Sequence, residues 1–153
     1  MKKKLLVLML AFTMIFPMVA LTACGGGGAP AELTKETIVG KWESDMGATL
    51  GGTGKVTATI EFTADGKYVT TLNDGEYRQY LKDMYEGLNL PGNMDINEMI
   101  DKAIEAFNES SISTYSFDGE TLKLGGMKVD FEYKDGVITV TQLGVSWTMT
   151  YLG

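Results

Sequence analysis

The sequence contains no histidine and only one cysteine, Cys24, in 153 residues. Without histidine the chain has no Ser-His or Cys-His nucleophile pair, no histidine general base and no histidine metal ligand. A single cysteine excludes an intrachain disulfide and a zinc site built from several thiolates. No spacing of the remaining carboxylates and tyrosines is typical of catalysis. We therefore expect a protein that is not an enzyme and that has no metal site and no cofactor.

Positive charge is also scarce, since the chain has 13 Lys and Arg residues against 20 Asp and Glu residues. Lys2, Lys3 and Lys4 lie in an N-terminal segment that we expect to be removed. Without them, 10 basic residues remain against the same 20 acidic ones, a net charge of −10. A basic face for nucleic-acid phosphates is not expected in such a chain.

Residues 1–23 have the pattern of a secretory signal peptide. The three lysines form a positive start, and the apolar run at residues 5–19 is too short for a typical transmembrane helix. At its end, the four residues Leu21-Thr22-Ala23-Cys24 resemble the lipobox of bacterial lipoproteins. That resemblance implies cleavage before Cys24 and attachment of lipid to its sulfur. The acyl chains would then anchor the protein to the membrane.

Residues 24–32 predict a flexible tether, because four consecutive glycines follow Cys24 and cannot hold one conformation in water. The folded domain is expected over residues 33–153. The lipobox resemblance implies an extracytoplasmic position for this domain. The Gly-rich tether resembles those of Gram-positive lipoproteins, which implies the outer face of a single cytoplasmic membrane; a host with two membranes is the alternative.

Apolar and polar residues alternate with period two through most of the domain. Val56, Ala58, Ile60 and Phe62, for example, alternate with polar neighbours, as in a strand with one buried face. Asp-Gly and Gly-Gly pairs between such runs are typical of tight hairpin turns. Eight strands are predicted, at 38–44, 55–63, 67–73, 112–117, 120–124, 127–134, 137–142 and 145–151. A meander of eight short strands removes its exposed edges by closing into an antiparallel up-and-down barrel.

The period becomes helical at residues 76–109, between predicted strands 3 and 4. Two apolar stripes are separated by a break at residues 90–93, and Asp95 has the spacing of a helix N-cap. A helical hairpin is therefore predicted. We expect it to lie across one mouth of the barrel as a lid, and the alternative is a free-standing arm that docks a partner. The candidate lid residues are Tyr77, Tyr80, Met84, Tyr85 and Met99.

The segments Ile38-Val39-Gly40-Lys41-Trp42 and Phe62-Thr63-Ala64-Asp65-Gly66-Lys67-Tyr68 resemble the start of small lipocalin-like, calycin-type barrels in bacterial lipoproteins. The resemblance implies that Trp42 lies across the closed end of the barrel. It also implies that a small apolar ligand can occupy the interior. Lipocalins usually pack a late basic residue on this tryptophan, but no Lys or Arg follows Lys134 here. Trp147 or Tyr151 is expected to take that place.

The residues expected inside the barrel, as core or as ligand contacts, are Trp42, Ile60, Phe62, Tyr68, Phe117, Phe131, Trp147 and Met149. Two functions follow from these expectations. The first is a lipid-anchored module whose barrel binds a small apolar or amphipathic ligand. The second is a non-catalytic domain with a filled barrel that binds a protein partner through the hairpin or the acidic surface. The two differ in whether the barrel is hollow.

Overall fold

The computed structural model describes residues 28–51, 54–88 and 94–153. Eight antiparallel strands form a closed barrel, in which each strand pairs with the next in sequence and β8 pairs with β1. The strands are β1 (Gly40–Asp45), β2 (Thr57–Phe62), β3 (Lys67–Leu72), β4 (Ile112–Phe117), β5 (Leu122–Leu124), β6 (Met127–Lys134), β7 (Val137–Gln142) and β8 (Val145–Tyr151). The predicted fold class, an eight-stranded up-and-down barrel with helices inserted between strands 3 and 4, is confirmed.

The insertion consists of helices α1 (Asp74–Glu86) and α2 (Ile96–Ser110). Each helix begins at a side chain that accepts hydrogen bonds from free backbone N–H groups of its first turn. Asn73 caps α1, and Asp95 caps α2 as predicted, accepting from the N–H groups of Asn97 and Glu98. The predicted signal peptide, Cys24, the first part of the tether and the break at residues 90–93 lie outside the described residues.

Strands β1 and β5 each begin two residues later than predicted, because local hydrogen bonds hold the preceding residues in turns. The carboxylate of Asp118 accepts from the N–H groups of Glu120 and Thr121, so β5 begins only at Leu122. Before β1, the N–H of Ile38 donates to the carbonyl oxygen of Thr34 and closes a helical turn. Ile38 is fully buried by this turn, at the end of the barrel rather than in its wall.

The turns divide the barrel into two ends. We define the closed end as the end that carries the β2–β3, β4–β5 and β6–β7 turns together with residues 29–39. The open end carries the β1–β2 loop (residues 46–56), the helices and the β5–β6 and β7–β8 turns. The β6–β7 turn at Asp135-Gly136 has positive φ at both residues, as a type I′ hairpin requires.

Aromatic packing around Trp42 fills the closed end. The indole N–H of Trp42 donates to the carbonyl oxygen of Ile38 at 2.9 Å, and no part of the side chain is exposed. The ring of Tyr151 meets the indole edge-on, with 5.0 Å between ring centroids, and Tyr133 lies 6.5 Å away. Of the two residues expected to replace the lipocalin basic side chain, the barrel therefore uses Tyr151. Trp147 lies nearer the open end.

The helices pack outside the barrel core, in a second apolar cluster. Tyr77, Leu81 and Ile100 are buried there together with Val56 from the β1–β2 loop. Leu50 and Leu72 of the barrel's open end pack against the same cluster. A hydrogen-bonded ion pair between Arg78 and Asp101, at 2.8 Å, joins the two helices on their exposed side. The apolar stripes of the helices are thus covered by each other and by the β1–β2 side of the rim.

Candidate functional site

The interior of the barrel contains a cavity of about 240 Å³. Inward-facing side chains of β2, β3, β5 and β8 form its wall, and the β1–β2 loop contributes two further residues. Phe62 and Tyr68 are cross-strand partners next to the β2–β3 turn, whereas Leu124 and Trp147 lie near the open end. The lining residues are Met46, Thr49, Ile60, Phe62, Tyr68, Thr70, Leu124, Trp147 and Met149.

The residues predicted for the barrel interior divide between this cavity and a solid core. The cavity is lined by five of them, Ile60, Phe62, Tyr68, Trp147 and Met149. Trp42 and Phe117 are buried in the packed core, and Phe131 contacts Phe117 edge-on with 5.4 Å between ring centroids. The barrel interior is therefore partly hollow: the cavity runs from the open end to Phe62 and Tyr68, while Trp42, Phe117 and Phe131 belong to its packed part.

Four of the nine lining residues, Met46, Thr49, Thr70 and Leu124, were not predicted. Thr70 and Leu124 continue the inward alternation of β3 and β5, so the period-two pattern carries the signal for both. A threonine and a residue at the end of a three-residue strand are easily passed over beside aromatic candidates. Met46 and Thr49 belong to a glycine-rich loop, and no sequence pattern shows that this loop folds back over the barrel.

Hydrogen bonds at its base hold the β1–β2 loop closed. The N–H of Met46 donates to the carbonyl oxygen of Val56, and the carboxylate of Asp45 accepts from the N–H groups of Gly47 and Val56. A Cβ atom at Gly47 would overlap the carbonyl oxygen of Gly54, so the two arms of the loop touch through a glycine. This tight base directs Met46 and Thr49 toward the cavity.

Helix α1 supports the same loop from its outer side. The hydroxyl of Tyr80 donates to the carbonyl oxygen of Leu50 at 2.7 Å. The N–H of Thr57 donates to the carboxylate of Glu76 at 2.6 Å, and this bond lowers the pKa of Glu76. The β1–β2 loop therefore lies between the cavity, which Met46 and Thr49 line, and helix α1, whose Tyr80 holds the backbone of the loop at Leu50.

The five candidate lid residues do not line the cavity and differ in their surroundings. Tyr77 is buried in the second cluster, and its ring stacks on that of Tyr80 with 6.3 Å between centroids. Tyr85 packs against the same cluster, whereas Met84 is 40% exposed and Met99 is half-buried. Burial raises the pKa of Tyr77, with further contributions from Tyr85 and Tyr80.

Other surface features of the described residues are less suited to hold a ligand. A more open groove of about 530 Å³ runs outside the barrel at the closed end, between Lys35 and Phe117. Residues 28–51, 54–88 and 94–153 include no cluster of three or more acidic or cysteine side chains arranged to hold a metal ion. Neither α1 nor α2 combines the length and the hydropathy that a bilayer-crossing helix needs.

These features define a class of protein, a closed eight-stranded antiparallel barrel with a helical pair at its open end and a partly hollow interior. Comparison of the chain with protein-family models, with curated proteins and with solved structures gave no significant match. We therefore infer the function from the residues of the barrel and its rim.

Proposed function

We propose that this protein is a lipid-anchored extracytoplasmic lipoprotein whose lipocalin-like barrel binds a small apolar or amphipathic ligand. The observation that carries the proposal is the cavity, because an aromatic and aliphatic pocket inside a rigid barrel is a suitable site for such a ligand. The domain acts by binding this ligand. It catalyses no reaction, uses no cofactor and binds no nucleic acid.

The position of the N-terminal segment supports a defined orientation on the membrane. The hydroxyl of Tyr133 donates to the carbonyl oxygen of Pro30, and Ala29 lies against Gly136 in the β6–β7 turn. A tether that begins at a lipidated Cys24 would therefore reach the domain at its closed end. The open end would face away from the bilayer, and the barrel would take its ligand from the surrounding medium.

Ligand occupancy is tested by native mass spectrometry of protein extracted from its own membrane. Thr70 lines the cavity, whereas its neighbour Thr71 is exposed on the outside of the same strand. We expect a non-covalent additional mass on the wild type and on Thr71→Phe, and none on Thr70→Phe, whose ring would fill the cavity. A wild type without additional mass would contradict ligand binding. Equal occupancy of both variants would place the ligand elsewhere.

Lipid anchoring is tested at Cys24. We expect a diacylglyceryl mass on the N-terminal peptide of the wild type and its loss in Cys24→Ala, with an uncleaved or released protein as the result. Two buried acyl chains suffice for stable anchoring, so the change in membrane partition should be large. Unchanged partition of Cys24→Ala, together with an N-terminal peptide free of lipid in the wild type, would refute the anchor.

A protein-binding role through the helices is the second candidate, and exposed apolar side chains favour it. Met84, Leu88 and Met94, which flank the α1–α2 connection, are between 40% and 52% exposed. Residues 74–110 also carry nine acidic and only three basic residues, so a partner there would need to be basic. This candidate is supported if the cavity is found empty and Met84→Ser with Leu88→Ser abolishes cross-linking to a partner at the membrane.

A further inference from the structure

The lining of the cavity restricts the charge of any ligand. Within the described part of the chain, none of the nine lining residues is charged, and seven are aromatic or aliphatic or carry a thioether. A charged group inside this space would lose its hydration without gaining an opposite charge, which is strongly unfavourable. A ligand of this cavity is therefore neutral at the part that enters it.

The volume of the cavity restricts the size of its ligand. An apolar cavity of about 150 Å³ holds benzene, and pockets for drug-sized molecules begin at about 300 Å³. The barrel cavity, at about 240 Å³, lies between these values. It matches a single substituted ring or a short branched chain, and it excludes a long acyl chain held entirely inside.

Trp147 adds an indole N–H donor to the wall of the cavity, beside the hydroxyl-bearing side chains of Thr49, Tyr68 and Thr70. The indole N–H of Trp42 is bonded to Ile38, but that of Trp147 makes no hydrogen bond with any described residue. No buried side-chain nitrogen or oxygen in residues 28–51, 54–88 and 94–153 lacks a partner, so this N–H is accessible. An indole N–H can only donate, and within an interior site it normally finds an acceptor.

We propose, on the basis of the function proposed above, that the barrel selects small neutral ring compounds that carry an oxygen acceptor, such as aryl ketones, and that the indole N–H of Trp147 donates to that oxygen. The aromatic and thioether side chains around it bind the ring. Because a net hydrogen bond inside a site is modest, the acceptor should strengthen binding two- to tenfold, while the absence of charge partners excludes ions.

The proposal is tested with four probes that have the same number of non-hydrogen atoms, namely isopropylbenzene, acetophenone, benzoate and benzamidinium. The full chain, reconstituted in lipid nanodiscs with ¹⁵N-labelled tryptophan, is titrated with each probe, and empty nanodiscs correct for probe dissolved in lipid. The indole resonances of Trp147 and Trp42 are followed separately, so that Trp42 at the closed end is the internal control. Trp147→Phe assigns the resonances, keeps an aromatic ring and removes the donor.

We expect acetophenone to bind two- to tenfold tighter than isopropylbenzene and to shift only the Trp147 indole proton downfield. Both ions should bind at least tenfold more weakly than acetophenone. In Trp147→Phe, amide resonances of the cavity should report equal affinity for acetophenone and isopropylbenzene. If this variant does not fold, the order of affinities in the wild type still decides.

Equal wild-type binding of the ketone and the hydrocarbon, or tighter binding of either ion, would overturn this inference while leaving ligand binding intact. If no probe perturbs the cavity, the proposed function fails as well.

Discussion

Replacement of Trp42 is the most direct test of how the closed end holds the barrel together. Its indole is fully buried, packs edge-on against Tyr151 at 5.0 Å, and donates to the carbonyl oxygen of Ile38 at 2.9 Å. Truncation of a buried tryptophan to alanine typically costs about 3–5 kcal/mol, because the removed ring leaves a cavity in a packed core. A domain of this size is stable by about 5–15 kcal/mol in total, so Trp42→Ala should remove a large share of its stability.

One further variant separates the contribution of the ring volume of Trp42 from that of its hydrogen bond, and another serves as a control. Trp42→Phe keeps most of the ring volume but leaves the carbonyl oxygen of Ile38 without its donor, which costs about 1–3 kcal/mol. Trp147→Ala is the matched control in the same barrel. Because Trp147 is only partly buried and lines an existing cavity, its truncation should cost at most about half as much as that of Trp42.

The assay is urea unfolding followed by circular dichroism, so that loss of a tryptophan does not alter the signal. With a slope of about 1.5 kcal/mol per molar urea, Trp42→Ala should lower the midpoint by about 2–3 M. Trp42→Phe should lie between this variant and the wild type. A Trp42→Ala midpoint within about 0.5 M of the wild type, or a larger loss in Trp147→Ala, would refute the assignment of the closed end as the main core.

Two other predictions concern the rim. The hydrogen bond from the N–H of Thr57 lowers the pKa of Glu76 in the folded state. The stability that this bond contributes is therefore fully present above the ordinary glutamate pKa of about 4.3, and it is lost as the pH falls through the lowered pKa of the folded state. The loss of thermal stability in Glu76→Gln, relative to the wild type, should accordingly become smaller in acid. A loss that does not change with pH, or the same pH dependence in the control Glu105→Gln at an exposed position, would contradict this prediction. Leu143 is 96% exposed with a φ of 52° in the β7–β8 turn, so Leu143→Asn should raise the free energy of unfolding by about 0.5–1 kcal/mol. Leu152→Asn, at an exposed site where φ is not positive, should give no gain. A gain measured by calorimetry in both variants, or in neither, would show that the turn is not strained.

The barrel could be predicted from sequence because its determinants are local. Alternation of apolar and polar residues indicates the buried face of a strand, as in β2. Turns such as Asp135-Gly136 use residues that tolerate the required positive φ. The caps of the helices are equally local, since Asn73 and Asp95 bond to N–H groups within three residues. Strand order followed from closure, because a meander of eight leaves no edge unpaired only when β8 meets β1.

Only the tertiary structure decided which inward residues form core and which line a cavity. Trp42 and Trp147 both face inward in the alternating pattern of their strands. Tyr133 and Tyr151 converge on Trp42 from distant parts of the chain, and Ile38, four residues away, accepts its indole N–H. The space beside Trp147 stays open, and its indole finds no partner among the described residues. Alternation fixes the side of the sheet that a residue faces, but packing density depends on the volumes of side chains that meet through long-range pairing. The position of the β1–β2 loop has the same origin. Leu50 within the loop bonds to Tyr80, 30 positions away, and Thr57 directly after it bonds to Glu76, 19 positions away.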